Sequence, residues 1–396
     1  MTYDFRTTIN RLPQGSAKWQ QMMDLNPKIE EDVVPYSVAD VDLPHPPELI
    51  DGLQEYIQEM IFGYTGLTNT YLETVVNWFE RHHQWKISPE TIVPSPGVVS
   101  ALFNAVKAYT RIGDSVLIIS PVYYPFRNAI LKSGRQVLSS PLIERNGEYT
   151  IDFTDLENKA SQPDVGLLLF CSPHNPVGRV WKKEELEKVD QICRKHNVIL
   201  VSDEIHFDLI LPGHSHTVFS TLSPETSENT IVFTAPSKTF NLAGLQTANV
   251  VITNPQLRQA FIDQQSRDGF HMLNCIGPKA CEIMYQHGDL WLKEFLSLIE
   301  HNRQTFEQYV TQHLPMIKLT PLEGTYLQWF DCRALRMSDE ELDDFLIKDC
   351  QLILDAGHIF GPEGSGYQRI NLACSTEKLQ DGLQRLKTAV HQRTSF

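Results

Sequence analysis

Three segments decide the fold: GLLLFCSPHNPVG (166–178), VILVSDEIH (198–206) and TIVFTAPSKTF (230–240). Each begins with a nearly continuous apolar run and then passes into a polar turn. Runs of this kind are typical of strands that are buried on both faces of a parallel sheet. The three segments therefore predict neighbouring buried strands, each followed by polar side chains.

The same pattern continues on both sides of these segments. Four further strand-like runs are TIVP (91–94), SVLIIS (115–120), QVLSS (136–140) and TANVVI (247–252). The stretches between the runs have apolar residues at helical spacing and charged residues on the opposite face. Strands that alternate with helices predict an α/β fold with a doubly wound, mostly parallel sheet of seven strands.

A change of pattern after Gly277-Pro278 indicates a second, smaller domain. A long helical run (279–314) is followed by the strand-like EGTYLQWF (323–330) and YQRINLA (367–373), which predict an α+β unit. We expect an N-terminal segment (1–46) that joins the small domain, a large domain (47–287) and a C-terminal small domain (288–396). The interface between the domains is the expected place for a ligand.

Composition restricts the class of partner. The 396 residues include 34 Lys and Arg against 49 Asp and Glu, a net charge of −15, which disfavours nucleic acid and anionic membranes. The sequence has no signal peptide and no apolar run long enough to span a bilayer, so we expect a cytoplasmic protein that acts on small molecules. Seven cysteines without a CxxC pattern indicate reduced thiols. His214 and His216 lack ligand partners at a suitable spacing, so we expect a surface loop and no metal.

Polar residues follow three consecutive apolar strands: Asn175, Asp203 and Lys238. In open α/β sheets, ligands bind at the carboxyl ends of the strands. A lysine can form an imine with an aldehyde cofactor, an acid can keep the ring nitrogen of that cofactor protonated, and an amide can donate to its phenolate oxygen. Taken singly, Lys238 is explained as a solvated side chain, Asp203 as a helix cap and Asn175 as a turn residue. Together they favour a cofactor site.

Two further features are candidates for a phosphate site. SPGVVSALFNAV (95–106) places a glycine turn directly before a helix, so the amides of Val98 and Val99 can bind an anion. Ser237, next to the lysine, offers a hydroxyl.

One aromatic residue and one arginine complete the candidate site. Tyr123 can stack on a cofactor ring, although a core aromatic is an equally good explanation. Arg369 lies in an otherwise apolar strand, where a guanidinium needs a specific anion, and it is the best candidate for binding a substrate carboxylate.

At this point the chain resembles the fold-type I, aspartate-aminotransferase-like enzymes that use pyridoxal 5'-phosphate (PLP). The motifs SPHNPVG, VSDEIH and SKTFNLAGLQ occur in the order of that superfamily. Within it, other segments resemble the MalY/PatB-type cystathionine β-lyases, also called cysteine-S-conjugate C–S lyases. These segments are SVADVDLPHPPEL (37–49), FGYTG (62–66), PGVV (96–99), EGTYLQW (323–329) and GHIFGPEGSGYQRINLA (357–373).

The resemblance implies PLP as the cofactor, Lys238 as the catalytic Schiff-base lysine and a homodimer in which Tyr64 reaches the site of the partner subunit. The residues that it assigns to the cofactor are Lys238, Asp203 at the pyridine nitrogen, Asn175 at the phenolate oxygen, Tyr123, His206, Val98, Val99, Ser237 and Tyr64. The residues that it assigns to the substrate are Arg369, Tyr64 and Asp40.

The implied reaction is the α,β-elimination of L-cystathionine to homocysteine, pyruvate and ammonia. Two departures from the aminotransferase pattern fit this lyase branch: Gln246 stands where a phosphate-binding arginine is common, and His206 stands where a tyrosine is usual. An aminotransferase stays open as an alternative, because it needs the same lysine, aspartate and asparagine and because fold does not fix reaction. A PLP-binding protein that regulates a partner through surface contacts is a further alternative.

Overall fold

The computed structural model describes residues 2–394. The helices are α1 (Ala17–Leu25), α2 (Pro47–Glu59), α3 (Asn69–His83), α4 (Val98–Tyr109), α5 (Pro125–Lys132), α6 (Phe153–Ala160), α7 (Lys183–Lys195), α8 (Pro224–Asn229), α9 (Pro236–Thr239), α10 (Pro255–Arg267), α11 (Ile276–His287), α12 (Asp289–His313), α13 (Asp339–Asp344) and α14 (Thr376–Thr394). The strands are β1 (Ile92–Ser95), β2 (Ser115–Ser120), β3 (Gln136–Pro141), β4 (Ile143–Arg145), β5 (Glu148–Thr150), β6 (Val165–Cys171), β7 (Ile199–Asp203), β8 (Thr230–Thr234), β9 (Ala248–Ile252), β10 (Lys318–Leu319), β11 (Leu327–Asp331), β12 (Asp355–Ala356) and β13 (Tyr367–Asn371).

The seven predicted strands form one sheet in the order β1-β9-β8-β7-β6-β2-β3. The pairs from β3 to β8 are parallel, whereas β9 runs antiparallel to both β8 and β1. Every residue of β2 and β8 is buried, as expected for strands that are covered by helices on both faces. The predicted fold class, a doubly wound and mostly parallel sheet of seven strands, is confirmed.

The chain order of the sheet brings three polar segments to one edge. Strands β6, β7 and β8 are neighbours and run in the same direction, with Cys171 opposite Asp203 and Asp203 opposite Phe233. The segments that carry Asn175, Asp203 and Lys238 therefore leave the sheet side by side at its carboxyl edge. This is the placement that the sequence predicts.

A second, antiparallel sheet in the order β10-β11-β13-β12 contains both strands that were expected after residue 314. The first of them begins at Leu327 rather than Glu323. The preceding residues pair instead with the segment that follows β7: the amide of Leu211 donates to Glu323 O, and Thr325 N donates to Leu209 O with a left-handed φ of 71° at Thr325. This pairing joins the second sheet to that segment.

The long helical run also differs from the expectation, because it is two helices that meet at Gly288. A β-carbon at Gly288 would lie 2.5 Å from both the Met284 carbonyl oxygen and the Phe240 ring, so only glycine fits this close approach. The division of the chain at residues 46/47 and 287/288 stays a prediction. No helix among residues 2–394 combines the length and the apolar character needed to cross a bilayer.

The expected surface loop at His214 and His216 is half wrong. His214 is exposed, but the side chain of His216 is only 2% exposed, and its Nε2 lies 2.7 Å from Oε2 of the buried Glu204. The residue spacing around the two histidines gives no sign of this pair, because Glu204 lies on the other side of a loop from His216. Within residues 2–394, no cluster of three or more His, Cys, Asp or Glu side chains is arranged to hold a metal ion.

Candidate active site

A cavity of about 280 Å³ lies at the carboxyl edge of β6, β7 and β8, and residues of the second sheet close it from the other side. Its volume is close to the lower limit of about 300 Å³ for small-molecule clefts. The structure brings nine of the predicted residues into its wall. They are Val98, Val99, Tyr123, Asn175, Asp203, His206, Ser237, Lys238 and Arg369.

Lys238 lies on α9, the short helix that follows β8, and its side chain is half-buried. The Nζ atom donates a 2.7 Å hydrogen bond to the carbonyl oxygen of Ala39. Burial lowers the pKa of Lys238 to about 8, against the opposing effect of the Asp40 carboxylate. A substantial fraction of the amine is therefore unprotonated near neutral pH, which is the state that attacks an aldehyde.

Asp203 ends β7 at the floor of the cavity. Burial raises the pKa of this carboxyl to about 7, although a 3.2 Å hydrogen bond from the Ile205 amide acts in the opposite direction. The charge of Glu204 raises this pKa further, while that of Lys238 lowers it. Among the described residues an ionised carboxylate here has no ion-pair partner, so a ligand with a cationic N–H group would be bound by charge and by hydrogen bond.

Arg369 lies on β13 and is held by two partners. Its Nη1 donates to Asn175 Oδ1 at 2.6 Å, while Nη2 and Nε donate to Asp355 Oδ2 at 2.5 and 3.2 Å. A guanidinium has five N–H bonds, so one on each terminal nitrogen is left. These two N–H groups can donate to the two oxygens of one carboxylate in the bidentate manner. Because Asn175 Oδ1 is occupied, the Nδ2 group of that amide is the one available to a ligand.

Asp355 is a site residue that sequence reasoning missed. It lies on the two-residue strand β12, directly opposite Arg369 of β13, and accepts from the Val38 amide at 3.1 Å. A strand of two residues has no detectable periodicity, so the sequence offers no signal for it. Val38, Ala39 and Cys171 also line the cavity and were not predicted to contact the ligand.

The predicted anion site lies at the start of α4. Gly97 precedes the helix with a φ of 103°, a left-handed conformation that favours glycine. The first amide that donates within the helix turn is that of Ala101, to Gly97 O. The amides of Val98 and Val99 are thus free to point at a ligand, as the first amides of any helix are. The Ser237 hydroxyl shares the cavity with them.

His206 and Tyr123 occupy the remaining wall. Burial, with the nearby charges of Lys238 and Arg369, lowers the pKa of His206 well below its usual range, so the ring is neutral. Its Nδ1 is buried and has no hydrogen-bond partner among the described residues. Burial raises the pKa of Tyr123 above its usual range, which keeps that side chain a neutral phenol.

Two predicted residues lie outside this wall. Asp40 is held by Lys18 at 2.8 Å and Arg11 at 2.9 Å and does not line the cavity, so its contact with the substrate stays a prediction. Tyr64 is 97% exposed and does not line the cavity of its own chain. Its role in a partner subunit stays a prediction.

These features fit PLP, the cofactor that the resemblance implies. The buried Asp203 lacks a cationic partner, and the pyridine nitrogen of PLP can supply one. The unpaired amides of α4 suit its phosphate. Lys238, whose lowered pKa leaves part of the amine unprotonated near neutral pH, suits its aldehyde, and the unpartnered His206 Nδ1 marks a place for a polar ligand atom.

Comparison with known proteins gives a consistent result. The family Aminotransferase class I and II matches residues 32–386. The chain is 41% identical over 390 residues to cystathionine beta-lyase PatB of Bacillus subtilis, covering 98% of this chain and 100% of the relative, and 28% identical to protein MalY of Escherichia coli, covering 98% and 99%. The crystal structure of cystalysin from Treponema denticola, which contains PLP, superposes with a TM-score of 0.98 at 46% identity, covering 99% of this chain and 100% of that one. A PLP-bound C–S lyase of Staphylococcus hominis in complex with L-cycloserine gives a TM-score of 0.92 at 30% identity, with 98% of both chains covered.

The raised pKa of Asp203 leads to a prediction about stability. In cofactor-free protein the folded chain holds the proton of this carboxyl up to about pH 7, whereas an ordinary carboxyl releases it near 3.8. The stability of the wild type therefore falls as the pH rises through this window. The Asp203→Asn variant avoids this loss, and its advantage in free energy of unfolding should grow to about 2–4 kcal/mol by neutral pH.

The measurement is urea unfolding of both cofactor-free proteins between pH 4 and 8. Asp344→Asn, at a position whose side chain is 59% exposed, is the matched control and should follow the wild type. Parallel pH profiles for Asp203→Asn and the wild type would show that the buried carboxyl carries no such cost.

Proposed function

The chain belongs to the family Aminotransferase class I and II, and we propose that it is a PLP-dependent C–S lyase that cleaves L-cystathionine by α,β-elimination. The observation that carries the proposal is the full-length similarity to cystathionine beta-lyase PatB, at 41% identity over 390 residues. L-Cystathionine and water give homocysteine, pyruvate and ammonia in this reaction. Related cysteine S-conjugates are cleaved in the same way to give other thiols.

When bound, PLP supplies an electron sink for the charge that develops at the substrate Cα. The chain supplies the orientation and the proton transfers. Arg369 binds the substrate carboxylate through its two remaining N–H groups, while Asp355 and Asn175 fix the plane of the guanidinium. This contact orients the Cα–H bond for removal.

Lys238 is the base and then the acid. The free Nζ amine would take the Cα proton of the substrate, which its lowered pKa permits near neutral pH. The Ala39 carbonyl accepts a hydrogen bond from Nζ and so holds the freed amine in place. The resulting ammonium is the proton source for the sulfur that leaves Cβ.

Asp203 and Asn175 tune the cofactor. The carboxylate of Asp203 would hold a proton on the pyridine nitrogen, and that cation would in turn stabilise the buried carboxylate. The free Nδ2 group of Asn175 would donate to the phenolate oxygen. Val98, Val99 and Ser237 would hold the phosphate, and Tyr123 would lie against the ring.

The test of this function is product release by the PLP-loaded protein with L-cystathionine as substrate. We expect pyruvate and free thiol in equal amounts without any added 2-oxo acid, and neither product from Lys238→Ala. Turnover that requires a 2-oxo acid and releases no thiol would replace the lyase by an aminotransferase. A protein that binds a regulator but releases no product with either substrate would support the regulatory alternative.

The pairing of Asp355 with Arg369 predicts an effect on substrate affinity. Asp355→Ala leaves the guanidinium without its fixed partner, so KM for L-cystathionine should rise about tenfold while kcat changes by less than about threefold. Asp355→Asn retains an acceptor oxygen, so its KM should lie between that of the wild type and that of Asp355→Ala. Steady-state kinetics decide the matter, and an unchanged or lowered KM in the alanine variant would show that Asp355 does not orient Arg369 for the substrate.

We propose that the enzyme is a homodimer with shared active sites. Tyr64 and its neighbours Ile61 and Phe62 are 97%, 83% and 67% exposed, an unusual concentration of large apolar side chains on the surface of one chain. A groove of about 540 Å³ lies beside them, between the residues that follow α2 and those that precede α11. Docking of a second chain buries this surface and brings Tyr64 to the cofactor phosphate of the partner.

Hybrid dimers test this arrangement. Tyr64→Ala and Lys238→Ala each damage a different half of a shared site, so a refolded equimolar mixture restores one complete site in each mixed dimer. The mixture should recover about a quarter of the wild-type activity, the fraction expected from random pairing of two subunits. No recovery in the mixture, or a monomer by light scattering, would contradict the shared site.

We also place the enzyme in the cytoplasm. The support is the state of the cysteines: all seven are unpaired thiols, and five of them are buried. A reducing compartment maintains such thiols.

A further inference from the structure

A buried carboxylate behind Lys238 has no part in the chemistry described so far. The side chain of Asp208 is 1% exposed, and Asp208 does not line the cavity. Its Oδ2 accepts a 2.7 Å hydrogen bond from Thr239 Oγ1, and its Oδ1 accepts from Trp78 Nε1 at 3.1 Å. His83 Nε2 lies 2.7 Å from the same Oδ1. These three contacts hold Asp208 in place.

The first of these contacts matters because of the helix that it anchors. Helix α9 comprises only four residues, Pro236–Thr239, and Lys238 is one of them. A single turn has little stability of its own, since helix formation requires a costly nucleus. Its position is therefore set by what its side chains contact. Thr239 is fully buried, and its hydroxyl is the donor that ties the end of α9 to Asp208.

The Thr239–Asp208 hydrogen bond joins α9 to the segment that follows β7. Asp208 stands five positions after Asp203 on this segment, which is fixed at a second point: the buried Glu204 accepts from the Phe219 amide at 2.9 Å and lies 2.7 Å from His216 Nε2. Between these two anchor points, the Phe207 ring stacks on the His83 ring at 3.9 Å and lies edge-on to the His216 ring at 6.3 Å. The segment from 203 to 208 is thus rigidly seated.

We propose that Asp208 and Thr239 are positioning residues that fix the distance between Lys238 and Asp203. The two site residues lie on different segments, and the Thr239–Asp208 hydrogen bond joins those segments behind the cavity. Lys238 and Asp203 act on opposite ends of the cofactor ring, so a change in their separation alters both the cofactor affinity and the proton equilibria of the bound cofactor. This inference rests on the PLP site of the proposed function, but not on the lyase reaction.

The matched pair Thr239→Val and Thr239→Ser tests the hydrogen bond. Valine keeps the shape and removes the hydroxyl, whereas serine keeps the hydroxyl and removes only a methyl group. Each PLP-loaded protein is measured for the pH midpoint of its visible cofactor absorption, its dissociation constant for PLP, and kcat and KM for L-cystathionine. Thermal unfolding monitors the fold.

For Thr239→Val we expect PLP affinity and kcat to fall about tenfold each, as for the loss of a hydrogen bond to a charged group, with KM within about threefold. The pH midpoint should move by about half a unit or more. Thr239→Ser should stay within about twofold of the wild type in affinity and kcat, with its midpoint unmoved.

An unmoved pH midpoint in Thr239→Val would overturn the inference, as would a serine variant as impaired as the valine variant, since either result would reduce Thr239 to a packing residue. If Thr239→Val does not fold, Asp208→Asn is the second test and the same three shifts decide it. PLP affinity and the pH midpoint need no turnover, so a protein that shows both shifts but releases no thiol keeps the positioning role and loses the lyase reaction.

Discussion

The constraint on which the rest of the structure depends is the burial of the Asp203 carboxyl at the end of the central strand β7. Burial without an ion-pair partner raises its pKa to about 7, so ionisation of this carboxyl at neutral pH costs the ligand-free chain stability. Such a group destabilises the fold and is retained where a ligand compensates it. In the proposed function, the protonated pyridine nitrogen of PLP provides that compensation, so cofactor binding would neutralise the charge.

The two sheets divide the remaining work. The parallel sheet delivers Asn175, Asp203 and Lys238 to one edge because β6, β7 and β8 are neighbours that run in the same direction. The antiparallel sheet supplies Arg369 and Asp355 from opposite positions of β13 and β12. Arg369 then joins the sheets through its hydrogen bond to Asn175. The site therefore depends on both sheets, and we propose that the substrate carboxylate binds at their contact.

Most of the large sheet and much of the site could be predicted from the sequence, because apolar runs mark buried strands and the residue after each run marks the carboxyl edge. The residues that were missed have partners far away in the chain. Asp355 meets Arg369 only through the pairing of a two-residue strand, and His216 meets Glu204 across a loop. Local patterns carry no information about which of several long-range partners a charged side chain finds.

The most direct test of this account is the protonation state of the bound cofactor, measured by nitrogen-15 NMR on protein loaded with PLP that is labelled at the ring nitrogen. In the wild type the ring nitrogen should still be protonated at about pH 8, because the buried Asp203 carboxylate stabilises the cation. The pKa of this nitrogen should thus lie well above its pKa in free PLP. The same signal in Asp203→Asn should be that of an unprotonated nitrogen. An unprotonated ring nitrogen in the wild type would contradict the pairing on which the site is built.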